Sequence, residues 1–257
     1  MSEVESIREQ YATNANLRAR IALHDRYSRT TVSYPHWIFD GYAFGDEADV
    51  LEVGCGDGNI WRENLHRIPP GWRLTLTDAS SGMVDAARAV LGDRAEYAVA
   101  DVQELPFADS AFDAVIANHM LFHVDDRRQA LGEIARVLRP GGTFRATTIG
   151  VEHLRELREL VPPPPESQWA KVRERFMIEQ VEEELAPFFV DVRIEPVPGP
   201  QDLEVPEVEP LLEYVRSRGD VTEEDLEPLR RAAEAEIAER GCFHVTRASA
   251  RVRADKP

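Results

Sequence analysis

From Ala48 to Ile149, short apolar runs rich in β-branched residues alternate with stretches whose apolar residues recur every three to four positions. A chain patterned this way has one economical solution, strands laid mostly parallel in one sheet and joined by helices that cross its faces. Strands are predicted at DVLEVG (49–54), RLTLTD (73–78), EYAVAD (96–101), FDAVIAN (112–118) and GTFRATTI (142–149). Helices are predicted at NIWRENLHRI, SGMVDAARAVL and DDRRQALGEIARVL. The turn Arg139–Gly142 stops the last of these, because proline and paired glycines do not prolong a helix.

The flanks are less regular. IREQYATNANLRARIALHDRYS has the pattern of one or two helices and leads into the aromatic-rich YPHWIFDGYAF, so 1–44 is read as an N-terminal helical lid. After the fifth strand come VEHLRELREL, a proline-rich loop near 161–166 and a helix through FMIEQVEEEL. FFVDVRIEPV follows, then a charged helical insertion near 205–240 and, in CFHVTRASARVRA, one long alternating strand.

The formal net charge is -17, and lysine occurs only at Lys171 and Lys256. Such a surface repels phosphate backbones, so no nucleic acid is expected as a partner. The acidic residues cluster in helical stretches such as EQVEEEL, which read as solvated faces. No run approaches the roughly 18 apolar residues that cross a bilayer, and MSEVESIREQ lacks the apolar block of a secretory signal. A cytoplasmic location without membrane association is expected. Cys55 and Cys242 lack His or Cys neighbours at zinc-binding spacing, so neither a disulfide nor a metal is predicted.

One segment carries the chemistry. VLEVGCGDGNIW, Val50–Trp61, is a strand that ends in alternate glycines and restarts as a helix. Glycine there lets backbone approach a ligand, and the helix start adds N–H donors and partial positive charge. A dinucleotide fingerprint would need G-x-G-x-x-G, but Asn59 stands where its third glycine belongs, which argues against an NAD-dependent oxidoreductase.

Glu52-Val53-Gly54-Cys55-Gly56-Asp57-Gly58 resembles motif I of the class I S-adenosylmethionine-dependent methyltransferases. Three companions follow in the family's order: Asp78 in LTLTDAS, Asp101 in ADVQELPF, and FDAVIANHMLFHV ahead of LRPGG. The similarity is greatest to the small-molecule, ubiquinone/menaquinone-biosynthesis-like "type 11" group, strong over Asp49–Ile149 and looser in the tail through GCFHVTRASA. It implies an α/β, Rossmann-like, seven-stranded sheet with the last strand antiparallel, occupying 45–257. It implies S-adenosylmethionine as cofactor, with S-adenosylhomocysteine as product. The residues implied to hold it are Glu52, Gly54, Cys55, Gly56, Gly58, Trp61, Asp78, Ala79, Met83, Asp101, Val102, Gln103, Asn118, His119 and Tyr27. In that family an acid in the place of Asp78 accepts the ribose hydroxyls and one in the place of Asp101 meets the adenine amino group. Local alternatives stand beside these roles: a helix N-cap for Asp78, a turn carboxylate for Asp101, core packing for Trp61 and Met83, and helix packing for Tyr27.

The reaction implied is in-line methyl transfer to a small-molecule acceptor, in natural-product or other secondary metabolism, needing alignment and exclusion of water. An alcohol or phenol acceptor would add a need for a base, for which His123, His119 and His36 are the candidates. The absence of an N-P-P-Y-type tetrapeptide after Asn118 disfavours amide or adenine acceptors. Acceptor recognition is expected from the helices before Phe44, from Trp169 and Phe176, and from Leu211–Tyr214. A homo-oligomer stays open. The rival reading is a protein that binds the cofactor without methylating, a cyclase or scaffold.

Overall fold

The computed structural model describes residues 15–172 and 175–257. The start of the expected lid, 1–14, lies outside them. Two helices, α1 (Ala15–Tyr27) and α2 (Tyr34–Asp40), precede the alternating core. That core runs β1 (Glu47–Val53), α3 (Asn59–Asn64), β2 (Gly71–Asp78), α4 (Ser81–Leu91), β3 (Ala95–Val99), β4 (Phe112–Asn118), α5 (Arg127–Val137) and β5 (Leu138–Ile149). Beyond it come α6 (Arg155–Leu160), α7 (Gln168–Val172), α8 (Val181–Leu185), β6 (Val190–Pro196), β7 (Asp202–Val205), α9 (Val208–Arg216), α10 (Glu227–Arg240), β8 (Phe243–Thr246) and β9 (Ser249–Asp255).

Seven strands form one sheet in the order β3-β2-β1-β4-β5-β9-β6. The first five are parallel. β9 runs antiparallel between β5 and β6, the arrangement expected of the last strand. Successive side chains in a strand face opposite sides, and both sides are covered here. Leu51, Val53, Val115 and Ala117 pack under α5, whereas Val50, Ala114 and Ile116 face the aromatics Trp37, Phe39, Trp61 and Trp72. Helix starts are fixed locally: Ser80 Oγ accepts from Met83 N, and Asp126 Oδ1 from Gln129 N.

Several expectations are corrected. CFHVTRASARVRA is two strands: β8 pairs with β7 in a separate two-stranded sheet, and β9 joins the main one. The buried positions explain the break, because they are 243, 245, 247 and 249 and then 250, 252 and 254. A one-residue slip in a period of two turns every later side chain to the other face, so one strand becomes two. The Arg139–Gly142 turn is a bulge inside β5, where pairing jumps from Phe112↔Leu138 to Ala114↔Thr143. FMIEQVEEEL shortens to a single 3-10 turn and α8, since Phe176 has a φ of 51°.

The lid is also different. α2 packs beside α3 on the sheet, but α1 joins α6, the β7–β8 pair, α9 and α10 around a separate apolar cluster that includes Leu23, Leu157, Leu203, Leu211 and Val245. This cap is therefore drawn from three distant stretches, with the 205–240 insertion as its largest part. Among the described residues, no helix is long and apolar enough to cross a membrane.

Candidate active site

A cavity of about 880 Å³ opens at the C-terminal ends of β1 to β4 and is roofed by the cap. Parallel sheets place ligands there, at the point where strand order reverses, here between β1 and β4. The volume is at the upper end for a small-molecule site and leaves space for two ligands.

The sheet-side wall begins with the glycine loop. Gly54 (φ 66°) and Gly56 (φ 55°) are left-handed, a conformation that disfavours side chains. At Gly54 a Cβ would meet Met120 Cβ at 2.7 Å, so this glycine is required by a neighbouring side chain rather than by ligand approach alone. Asp78 ties the loop down: Oδ2 accepts from Gly56 N at 3.0 Å and Oδ1 from Ser80 N at 2.9 Å. Burial raises the Asp78 pKa, and those two N–H groups hold it back. Asp101 accepts from Gln103 N at 2.9 Å, the local turn bond that was its alternative reading. Both carboxylates still border the cavity, with lone pairs beyond those used.

At the end of β1, Glu52 is 2% exposed. It accepts from Trp61 Nε1 at 2.5 Å and from Asn118 Nδ2 at 2.9 Å. Burial nevertheless pushes its carboxyl up to about 7, against those two bonds. Asp57, also buried, has long ion pairs with Arg18 (3.9 Å) and Arg62 (3.7 Å), and neither carboxylate oxygen has a hydrogen-bond partner among the described residues.

β4 ends at Asn118, and the next residue, His119, has a φ of 50°. Its backbone N donates to Thr147 O at 3.1 Å, and its ring Nε2 shares a 2.5 Å hydrogen bond with the Tyr34 hydroxyl. Burial, then the charge of Arg247, lowers the His119 pKa to about 4. Burial raises the Tyr34 pKa to about 12. At neutral pH, both groups are therefore uncharged.

The opposite wall belongs to the cap. His24 stacks on His153 with ring centroids 5.5 Å apart and meets Tyr214 edge-on at 6.2 Å. Burial, helped by Arg247, lowers the His24 pKa to about 3. Burial also takes His153 well below its ordinary value. His123 meets Trp169 edge-on at 5.9 Å, and Arg20 lies 4.3 Å over the same indole.

Of the residues singled out from the sequence, Glu52, Gly54, Cys55, Gly56, Asp78, Ala79, Met83, Asp101, Val102, Gln103, Asn118, His119 and His123 border this cavity. Four do not. Trp61 is wholly buried in the core between α2, α3 and the sheet, and its Nε1 donates to Glu52 on the cavity wall. Gly58 begins α3 with a φ of 73° and packs on Ala87 of α4. Tyr27 is in the cap's core, and His36 is exposed, with Nε2 3.3 Å from Glu63 O. Among the expected acceptor-side aromatics, Trp169 and Tyr214 reach the cavity, while Phe176 lies in the sheet core and Phe44 packs on Trp72. Leu211 and Leu212 are cap core.

Sequence reasoning missed Tyr34, His153 and Arg247 on the cavity wall. Only Arg247 left a trace, at the phase slip described above. The metal expectation also needs qualification, because Glu204, Cys242 and His244 approach within 4.8 Å of one another on the cap. Arg29 already pairs with Glu204 at 3.2 Å and Glu236 lies 3.2 Å from His244 Nδ1, so the group is part of an ion-pair network.

The sheet-side wall suits the cofactor that the resemblance implies. Glu52, Asp57, Asp78 and Asp101 make it acidic, which fits a cationic ligand rich in hydroxyl donors; a dinucleotide's pyrophosphate would be repelled. The two unsatisfied oxygens of Asp57 point the same way, since a buried acceptor seeks a donor.

Comparison with known proteins agrees. Residues 51–146 match the family described as "Methyltransferase domain". The O-methyltransferase resE of Aspergillus sclerotiorum is 34% identical over 139 residues, 49% of this chain and 51% of that protein. Malonyl-[acyl-carrier protein] O-methyltransferase of Hahella chejuensis is 37% identical over 116 residues, 45% of this chain and 41% of that protein. The chain thus spans about half the length, or less, of these curated relatives. Among solved structures, phosphoethanolamine N-methyltransferase 2 of Haemonchus contortus superposes with a TM-score of 0.63 at 20% identity, covering 100% of this chain and 60% of that one. The [4+2]-cyclase SpnF gives 0.56 at 18% identity, covering 90% and 86%. At such identities the structural likeness shows the fold alone. Glycine loop, carboxylate series, sheet order and matched domain converge: residues 51–146 form a methyltransferase domain similar to those of the class I, type 11 enzymes.

Proposed function

We propose that the chain binds S-adenosylmethionine along the acidic, sheet-side wall and transfers its methyl group to a small acceptor held under the cap. The observation that carries this reading is the pairing of two unlike walls in one cavity, acidic on the sheet side and aromatic and imidazole-lined on the cap side, meeting at Tyr34 and His119. The bound cofactor supplies an electrophilic methyl on a sulfonium, so the protein's work is alignment and exclusion of water. Glu52 and Asp57 would face the amino acid end, Asp78 the ribose and Asp101 the adenine. His119, held neutral and bonded to Tyr34, is a weak base and acts here by position. His123, against Trp169 on the acceptor side, is the better placed histidine for a proton. The acceptor best suited to the cap wall is a small, largely apolar secondary metabolite.

The first test is a thermal-shift titration with S-adenosylhomocysteine, using NAD as control. At 100 times its Kd the ligand adds about 2.7 kcal/mol of stability. Asp78→Ala should fold and bind S-adenosylhomocysteine at least about tenfold more weakly, because the glycine loop loses its clasp. Wild-type affinity in a folded variant would overturn the assignment. The neutral His119, a weak base beside the end of β4, leaves a second reading in which the cofactor is bound and not consumed. Tight cofactor binding with no labelled methyl transferred to any acceptor would select it.

A further inference from the structure

Buried arginines in this fold can be held by several neutral acceptors. Arg145, 6% exposed, donates to Gly41 O, Thr143 Oγ1 and Phe144 O. Arg247, 5% exposed, is engaged far less. It stands on the link between β8 and β9, where the chain passes from the cap to the main sheet, and it borders the cavity. Nη1 donates to Ser28 Oγ at 3.1 Å, Cζ lies 4.5 Å over the Tyr34 ring, and the Tyr34 hydroxyl also approaches the guanidinium. Among the described residues, no carboxylate comes within 4.0 Å of it. Asp25, on the same wall, feels its charge from beyond that distance.

A buried cation with only neutral neighbours is costly unless something pairs with it. Its field is felt locally, since after burial it helps keep His24, His119 and His153 uncharged. A guanidinium suits a carboxylate, which can accept two parallel N–H bonds. Asp25 and Glu63 also border the cavity and disfavour a doubly charged group.

We propose that Arg247 recognises the acceptor: the small molecule taken under the cap carries a carboxylate that pairs with this guanidinium beside Tyr34 and His119. This rests on the cavity's being the cofactor and acceptor site. Its apolar remainder then runs along His24, His153 and Trp169, which fixes the acceptor's direction relative to the end of β4. The cofactor has a carboxylate of its own, but the glycine loop already has cations nearby in Arg18 and Arg62.

The test uses the full chain, with and without saturating S-adenosylhomocysteine. Benzoate, phenylacetate, 4-hydroxybenzoate and octanoate are each titrated against their methyl esters, with inorganic phosphate alongside. At least one carboxylate should raise the Tm where its ester and phosphate do not, and its affinity should fall about 30-fold or more in Arg247→Gln, with partial recovery in Arg247→Lys. The Kd for S-adenosylhomocysteine should stay within about twofold in both variants. Equal carboxylate binding by wild type and Arg247→Gln, no carboxylate better than its ester, or a response to phosphate alone overturns the proposal. So does weaker S-adenosylhomocysteine binding with unchanged 5′-methylthioadenosine binding, which would make the cofactor's carboxylate the partner. Failure of wild type to bind S-adenosylhomocysteine counts against the cofactor reading, and the carboxylate series without it then decides Arg247 alone.

Discussion

The two walls of the cavity are built on opposite terms. On the sheet side, Asp78 and Asp101 are clasped by backbone N–H groups a few residues away, and Glu52 by Trp61 and Asn118. On the cap side, among the described residues, His24 Nδ1 is buried without a hydrogen-bond partner, and Arg247 faces hydroxyls and a ring with no carboxylate paired to it. A wall whose carboxylates are mostly held by nearby N–H groups, with the two oxygens of Asp57 left over, suits one ligand of fixed shape. A wall with unspent polar capacity awaits its ligand, because buried polar groups without partners are unfavourable in the empty protein. The contrast supports the proposal that the cofactor lies on the sheet side and the acceptor on the cap side.

The largest expected effect breaks the sheet-side wall. Gly54→Val puts a Cβ at 2.7 Å from Met120 in a left-handed backbone and should cost about 3 kcal/mol or more, with loss of S-adenosylhomocysteine binding. Urea unfolding and calorimetry measure both. In a Gly54→Ala background, Met120→Gly, which removes the Cβ that stands 2.7 Å away, should recover part of the stability; no recovery would mean that backbone conformation alone sets the cost.

The next prediction is that the walls respond to pH in opposite senses. Glu52 titrates near 7 when folded, above its ordinary 4.5, so the stability it contributes is present below about 4.5 and lost as pH rises through 7. Its share is on the order of 2 kcal/mol between pH 5 and 8, and Glu52→Gln should remove that decline. His24 and His119 titrate near 3 and 4, below 6.5, so their contribution is present above 6.5 and lost as pH falls through 4 and then 3. Urea midpoints from pH 4 to 8 separate the two limbs. Because a bound cation favours ionised Glu52, S-adenosylhomocysteine should also bind more tightly as pH rises from 6 to 8, by up to about tenfold per unit, and this trend should be flat in Glu52→Gln. A pH-independent affinity in wild type would remove Glu52 from the ammonium's surroundings.

The smallest effect sharpens the contrast. His24→Leu replaces a neutral ring whose Nδ1 is unsatisfied, so stability should change by no more than about 1 kcal/mol and cofactor affinity by less than about twofold. A large loss of either would show that the cap wall is as tightly specified as the sheet-side one.

These walls also differ in how far they can be read from the chain. The strands, their order of appearance and the glycine loop follow from periods of two and of three to four residues and from Gly54, Gly56, Asp78 and Asp101, all of which are local signals. The same signals misplace Trp61, since a residue one turn into a helix after the loop faces either the cavity or the core, and only packing against Phe39 and Tyr42 decides which. They also miss the break in the last strand, although the change from odd to even apolar positions after Val245 was there to be seen.

By itself the sequence determined a parallel sheet, its acidic glycine-loop edge and the methyltransferase resemblance of residues 51–146, because each depends on residues that interact through nearby backbone or recur in a short motif. The cap wall was decided only in three dimensions. Ser28 and Arg247 are 219 positions apart, and Tyr34 and His119 are 85, yet each pair meets at the cavity. No periodicity links such positions; they are brought together when α1, α6, the β7–β8 pair and the insertion bury one apolar core, and burial then keeps His24 and His153 uncharged on the wall that this core presents to the cavity.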